Sequence, residues 1–166
     1  VHFETSLQIP ALDNQKVWAG LKLTNDQLVA TDDDQMFFKY QTDATNSEAF
    51  DDFAKWHFVH SIGGTDHISV LPITVAVDTP YHFKIEVGSD RKATIFVNGI
   101  QYNVTTTSGS TGGTAVTAVQ AGKQAVKTAA LTDDVDLIPY VGIEAGAAAA
   151  EAVNVHYICC SRNVYE

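Results

Sequence analysis

Asn98-Gly99 stands between two alternating apolar runs, and no other dipeptide in this chain restricts its fold as tightly. Both residues accept the positive φ of a type I′ turn, so the flanking runs must fold back on each other as antiparallel strands. Upstream, Ala93, Ile95 and Val97 share one face; downstream, Ile100, Tyr102 and Val104 share one. Ahead of both, Tyr81, Phe83, Ile85 and Val87 alternate with His82, Lys84 and Glu86, the period of two of a half-buried strand. Gly88-Ser89-Asp90 supplies the turn chemistry between them. Three consecutive antiparallel strands therefore present one apolar face, which the rest of the chain must cover.

The same alternation recurs elsewhere. Phe3, Thr5, Leu7 and Ile9 precede Pro10. Val17, Ala19, Leu21 and Leu23 share a face, with Trp18, Gly20 and Lys22 opposite. A polar loop through Asp32-Asp33-Asp34 leads to Met36, Phe38 and Tyr40, with Phe37 opposite. Over 42–54, Ser47 is placed to cap a single helical turn that sets Phe50 and Phe53 on one side. Residues 56–62 and 67–71 flank Gly63-Gly64 as a second hairpin, and Pro72 confines the next residues to an edge or a break.

Beyond residue 107 the chain changes character. Residues 108–114 are flexible by composition, and the alanine-rich 115–132 fits helix and strand templates equally, with Gly122-Lys123 placed to turn a hairpin. We read 108–132 as a Gly/Ala-rich insertion: either an arm that packs on a neighbouring subunit or a loop folded over its own sheet. Residues 133–136 make an acidic loop and 137–143 an extended segment containing Pro139. Residues 145–150 are too few to hold a helix alone. Val153, Val155, Tyr157 and Cys159 alternate with Asn154, His156, Ile158 and Cys160 in a closing strand, and 161–166 is a tail. About ten short strands separated by turn signals predict a single all-β domain over 1–166, a two-sheet antiparallel β-sandwich.

The formal net charge is −10, which disfavours nucleic acid and anionic membranes as partners. No apolar run is long enough to span a bilayer. Cys159 and Cys160 are neighbours, so on a strand they point to opposite faces and do not bond each other. Without a disulfide framework the chain suits a reducing cytoplasm, and buried packing is the role expected of the pair.

The order of parts resembles the concanavalin A-like lectin/glucanase jelly roll. The residues that carry the likeness are VWAGLKL (17–23), MFFKY (36–40), TPYHFKIEVGSDRKATIFVNGIQYNV (79–104), DLIPYVGIEA (136–145) and AVNVHYICC (152–160). It resembles in particular the versions carried by structural proteins of tailed bacteriophages. That resemblance implies a virion protein assembled in the bacterial host cytoplasm. It would act as a capsid-surface, decoration or fibre domain, packing against the major capsid protein and copies of itself as a homo-oligomer. The alternative it implies is a carbohydrate-binding, lectin-like module for host-surface glycans.

An enzyme is not expected. Glucanases of this superfamily need carboxylates alternating on one strand face. Asp32 and Asp34 are followed by Met36, and Asp134 and Asp136 by Ile138. No G-x-S-x-G elbow occurs, and SGSTGGT lacks the Lys-Ser/Thr ending of a phosphate loop. Superfamily lectins often seat Ca²⁺ near the sugar. Asp32, Asp33 and Asp34 are the candidate ligands here, against a solvated acidic loop, and no cofactor is otherwise expected. His57 and His60 fall on opposite strand faces, which excludes a shared zinc. Trp18 and Trp56 are the candidates for stacking on a sugar, against burial in the core.

Overall fold

The computed structural model describes residues 1–42, 48–146 and 150–162. Among these residues it has eleven strands and no helix. In chain order the strands are β1 (His2–Gln8), β2 (Gln15–Lys22), β3 (Gln35–Gln41), β4 (Lys55–Ile62), β5 (Thr65–Thr74), β6 (Pro80–Val87), β7 (Ala93–Val97), β8 (Ile100–Tyr102), β9 (Thr114–Ala115), β10 (Ile138–Ala145) and β11 (Asn154–Ser161). A five-stranded sheet runs β11-β1-β6-β7-β8 and a six-stranded sheet β10-β2-β3-β4-β5-β9. Every pairing is antiparallel except the two-residue match of β9 to β5. The chain crosses between sheets after β1, β5, β8 and β10, so its first and last strands lie side by side. This is a two-layer jelly-roll sandwich: the strand pattern predicts the two packed sheets, and the resemblance implies the jelly roll.

The core between the layers comes from the alternating positions. Phe3, Leu7, Phe83 and Ile95 of the smaller sheet meet Val17, Leu21, Phe38 and Phe58 of the larger. Phe38 stacks on Phe83 at 4.4 Å between ring centres, and Trp56 meets Phe83 edge-on at 4.7 Å. A second apolar cluster lies on the outer face of the six-stranded sheet: Trp18, Val29, Phe37, Phe50, Val59 and Ile68, with Phe53 against it. Every residue of β2 and β3 is consequently buried. Alternation in sequence suggests one wet face for these strands; the loops before β3 and β4 cover it instead. Phe50 and Phe53 do join one cluster, but no helix carries them, and Ser47 lies outside the described residues.

The hairpin at Asn98-Gly99 has φ of 50° and 78° at the two residues, with Val97 paired to Ile100 and Ile95 to Tyr102. In the preceding turn the positive φ, 59°, falls on Arg91 rather than on Gly88. Arg91 N–H bonds Gly88 C=O at 3.0 Å and Gly88 N–H bonds Lys92 C=O at 3.1 Å, so the reversal closes one step later than composition suggests. Pro72 lies where the β4–β5 register shifts, and Pro139 on edge strand β10, both positions that tolerate a missing N–H.

Residues 103–132 lie against their own sheets. Val119 N–H bonds Gln101 C=O, Val104 N–H bonds Val126 C=O, and Leu131 N–H bonds Arg91 C=O. The segment reverses at Gly122, with φ of 76°, and Lys123 N–H bonds Gln120 C=O.

The closing strand departs from expectation. All eight residues of β11 are exposed, Cys159 and Cys160 included, so the pair is not packed in the core. β11 is an edge strand, and nothing among the described residues closes over either of its faces.

Candidate interaction face

Two lysines are wholly buried beneath the loops on the outer face of the six-stranded sheet. Lys22 Nζ donates to Gln35 Oε1, lies 3.4 Å from Asp32 Oδ2 and sits 4.0 Å from the centre of the Phe37 ring. Lys39 Nζ donates to Gln27 Oε1 at 2.7 Å and Gln27 C=O at 2.9 Å, and pairs with Glu48 Oε2 at 2.5 Å. Burial pulls both lysines below the usual range, while Asp32 and Glu48 respectively pull the other way. These charges pin the covering loops to the sheet. Alternation puts Lys22 on this face but gives it no role. The available signal is lysine at alternate positions of aromatic strands, bracketed by acidic loops.

Two aspartates of the acidic loop, Asp32 and Asp34, are occupied. Asp32 accepts from Leu23 N–H, Thr24 N–H and Thr24 Oγ1 at 3.1, 3.0 and 2.8 Å. Asp34 accepts from Thr132 N–H and Oγ1 at 3.1 and 2.9 Å and from Gly63 N–H at 3.3 Å. Asp33 lends its backbone C=O to Gly64 N–H and has an exposed side chain. The carboxylates of Asp32 and Asp34 thus point at hydrogen-bond donors, whereas a Ca²⁺ ligand set requires converging oxygens. Among the described residues no group of three or more His, Cys, Asp or Glu is disposed to hold a metal.

Neither tryptophan offers a ring face to solvent. Trp56 is 0 % exposed in the main core, and Trp18 is 5 % exposed beneath the loop, its Nε1 donating to Asn25 Oδ1 at 3.1 Å. Gly142 of β10 lies directly on the Trp18 ring. As folded, neither ring is available to a sugar.

His57 and His60 do point to opposite faces of β4. His57 Nε2 donates to Asp51 C=O at 2.6 Å. His60 stacks on His67 at 4.5 Å with rings 2° from parallel, and its Nδ1 finds no protein partner among the described residues. Burial, helped by His67, takes the His60 pKa from 6.5 down to about 3. Between those values the unfolded chain binds the proton and the folded one does not, so this contribution is present above pH 6.5 and is lost as pH falls toward 3. We expect His60 to remove on the order of 2 kcal/mol by pH 5, read as a drop in urea midpoint that His60→Leu flattens.

The exposed counterpart is the outer face of the five-stranded sheet and its free edge. Glu4 Oε1 accepts from Tyr157 Oη and from His82 Nε2, each at 2.7 Å, and Glu4 Oε2 lies 2.9 Å from His2 Nε2. The Tyr157 bond, then the His82 bond, hold Glu4 down at about 2; loss of water, then Glu4, push Tyr157 up to about 12. Thr5 Oγ1 also donates to Tyr157 C=O at 2.7 Å. β11 is therefore fixed in place although each of its residues is exposed. Opposite Thr5 and Leu7 it sets Ile158 and Val155 on the inner side, 49 % and 41 % exposed. Across the gap, β10 offers half-buried Val141 and Ile143 opposite Ala19 and Val17. Among the described residues, the sandwich is open along this side.

A cleft of about 620 Å³ lies at the end of that opening, where β1 starts and β11 finishes. Its lining includes Leu131, Leu137, Arg91, Asp134, Asp136 and Arg162. Asp134 and Asp136 stand in the loop before β10, outside any strand. The arrangement offers apolar contact beside both signs of charge.

No family model matches the chain. No curated protein matches it. Among solved structures, mouse laminin alpha1 chain, domains LG4-5, aligns with 93 % of this chain and 39 % of its own length, at 15 % identity and a TM-score of 0.37. The sandwich stands on its own strand order and register.

Proposed function

We propose that this domain is a non-enzymatic structural module of a tailed-bacteriophage virion, a capsid-surface, decoration or fibre domain. It packs against other virion proteins, the major capsid protein among them, and is assembled in the host cytoplasm. One observation carries the reading: an immobilised edge strand with Val155, Tyr157 and Ile158 on display, beside a sandwich left open. Apolar surface held rigid in water suits a partner surface. Buried Lys22 and Lys39 hold loops down through Gln35, Asp32, Gln27 and Glu48, none of which lines the cleft. Two exposed free thiols fit a reducing compartment. No resident cofactor is part of this reading, so the thermal midpoint should be the same in Ca²⁺ and in EDTA.

A second reading, a lectin-like module for host glycans, has the cleft near Asp134, Asp136 and Arg162 in its favour. A glycan array and co-sedimentation with purified capsids separate the two. Docking to particles with a silent array supports packing. Saturable binding of one sugar without docking, or hydrolysis of a polysaccharide, defeats it.

A further inference from the structure

We infer that residues 48–54 form an acid-released strap: protonation of His57 beneath them frees the segment from the outer face of the six-stranded sheet and uncovers the apolar side chains under it. The switch lies beyond the packing reading and stands whether or not that reading holds.

The sheet grips the strap with three side-chain donors. Lys39 Nζ pairs with Glu48 Oε2 at 2.5 Å, Gln41 Nε2 donates to Glu48 C=O at 2.6 Å, and His57 Nε2 donates to Asp51 C=O at 2.6 Å. Residue 112 adds two backbone bonds: Asp51 N–H reaches Gly112 C=O at 3.1 Å, and Gly112 N–H reaches Ala49 C=O at 2.5 Å. The strap carries Phe50 and Phe53 into the outer cluster with Phe37, Val59 and Ile68. The Phe50 ring leans on His57 at 4.7 Å between centres.

Acid can undo the His57 fastening. The residue is 0 % exposed. With the proton on Nε2, Nδ1 is bare, and it has no hydrogen-bond partner among the described residues. A second proton would turn a buried neutral ring into a buried cation. On β3 the neighbouring charge is Lys39, which opposes that proton; the Asp52 carboxylate and the backbones of Asp51 and Lys55 favour it. Glu48 is committed to Lys39, Asp51 turns its carboxylate toward Gly112, and β5 sets uncharged Val70 opposite the ring. Loss of water outweighs the favourable contacts and pulls His57 below its ordinary 6.5. Lifting the strap wets the ring and restores that value, so the open form binds a proton that the closed form refuses. The grip is therefore full above pH 6.5 and weakens as pH falls below it. From about pH 7.5 to pH 5 the opening constant should rise by up to about 30-fold. His60, on the opposite face of β4, acts on unfolding of the sandwich instead.

Amide hydrogen exchange of the intact chain, corrected for the pH dependence of exchange itself, is the test, with the His57 ring followed by NMR. Protection of Asp51 and Gly112 should fall up to about 30-fold relative to Phe38 and Phe58 of the ladder between those pH values. His57→Gln, uncharged and still able to donate to the Asp51 carbonyl, should abolish the difference, whereas His60→Leu should leave it. Strap amides that keep their protection at pH 5 overturn the inference. So does protection lost in step with Phe38 and Phe58, or lost equally in His57→Gln. Should His57→Gln fail to fold, the wild-type ring decides: one that stays neutral to pH 5 while strap protection falls supports the switch, and one that titrates near its ordinary value overturns it.

Discussion

Lys39→Met should cost about 3 kcal/mol of folding stability, because it removes one member of a buried ion pair and leaves the other uncompensated. Lys39 Nζ is the cation for Glu48 and a donor to both oxygens of Gln27, and it sits 4.9 Å from the Phe50 ring centre. Glu48 is 12 % exposed, so some water can reach the stranded carboxylate; this places the expectation at the low end for a broken buried pair. The charge-neutral double variant, Lys39→Met with Glu48→Gln, should recover much of the loss, since it leaves no unpaired ion. Denaturant midpoints of the two single variants and the double variant check this. If Lys39→Met unfolds at the wild-type midpoint, the pair does not hold the loop.

Gly20→Ala should be at least as damaging, about 3 kcal/mol or more, for a reason of shape alone. Gly20 pairs with Phe37 across β2 and β3. A Cβ placed on it would overlap the Met36 carbonyl oxygen and the Phe37 Cα, and would lie 2.6 Å from the Phe37 Cβ. Two of those atoms are backbone, so relief requires separating neighbouring strands in the middle of a sheet buried on both sides. The φ of Gly20 is not in the left-handed region, so the requirement is for space and not for an unusual backbone angle. A fall in thermal midpoint of several degrees, with native spectra below it, is the expected result. A neutral Gly20→Ala would mean that β2 and β3 have room to part.

Much of the fold was legible because alternation and turn chemistry are local signals. Asn98-Gly99 announced its own φ values, and Phe3, Phe38 and Phe83 announced the core. What stayed hidden depended on partners remote in sequence. Trp18, Phe37 and Lys39 occupy a face that alternation marks as outward, and only the covering loops bury it. Cys159 and Cys160 sit in an apolar strand that reads as interior, yet an edge strand can be apolar and wet when the layer above it is missing. The acidic loop reads as a solvated loop with Ca²⁺ as the alternative, because a sequence does not show that Thr24 and Thr132 supply donors to Asp32 and Asp34. Residues 115–132 gave no preference between helix and strand. Their conformation comes from backbone bonds to Gln101, Asn103, Val104, Ala93 and Arg91, which no alanine-rich sequence encodes locally.

The pairing of His2 with Ser161 has a mechanical side. Because the strands that carry the two ends run antiparallel as neighbours, a pull on both ends meets their hydrogen bonds in series and not all at once. The domain would open like a zipper from that corner under modest tension, whereas force delivered sideways through the sheet would load the whole ladder together. An assembly under tension would do better to hold this domain by its flank than by its ends.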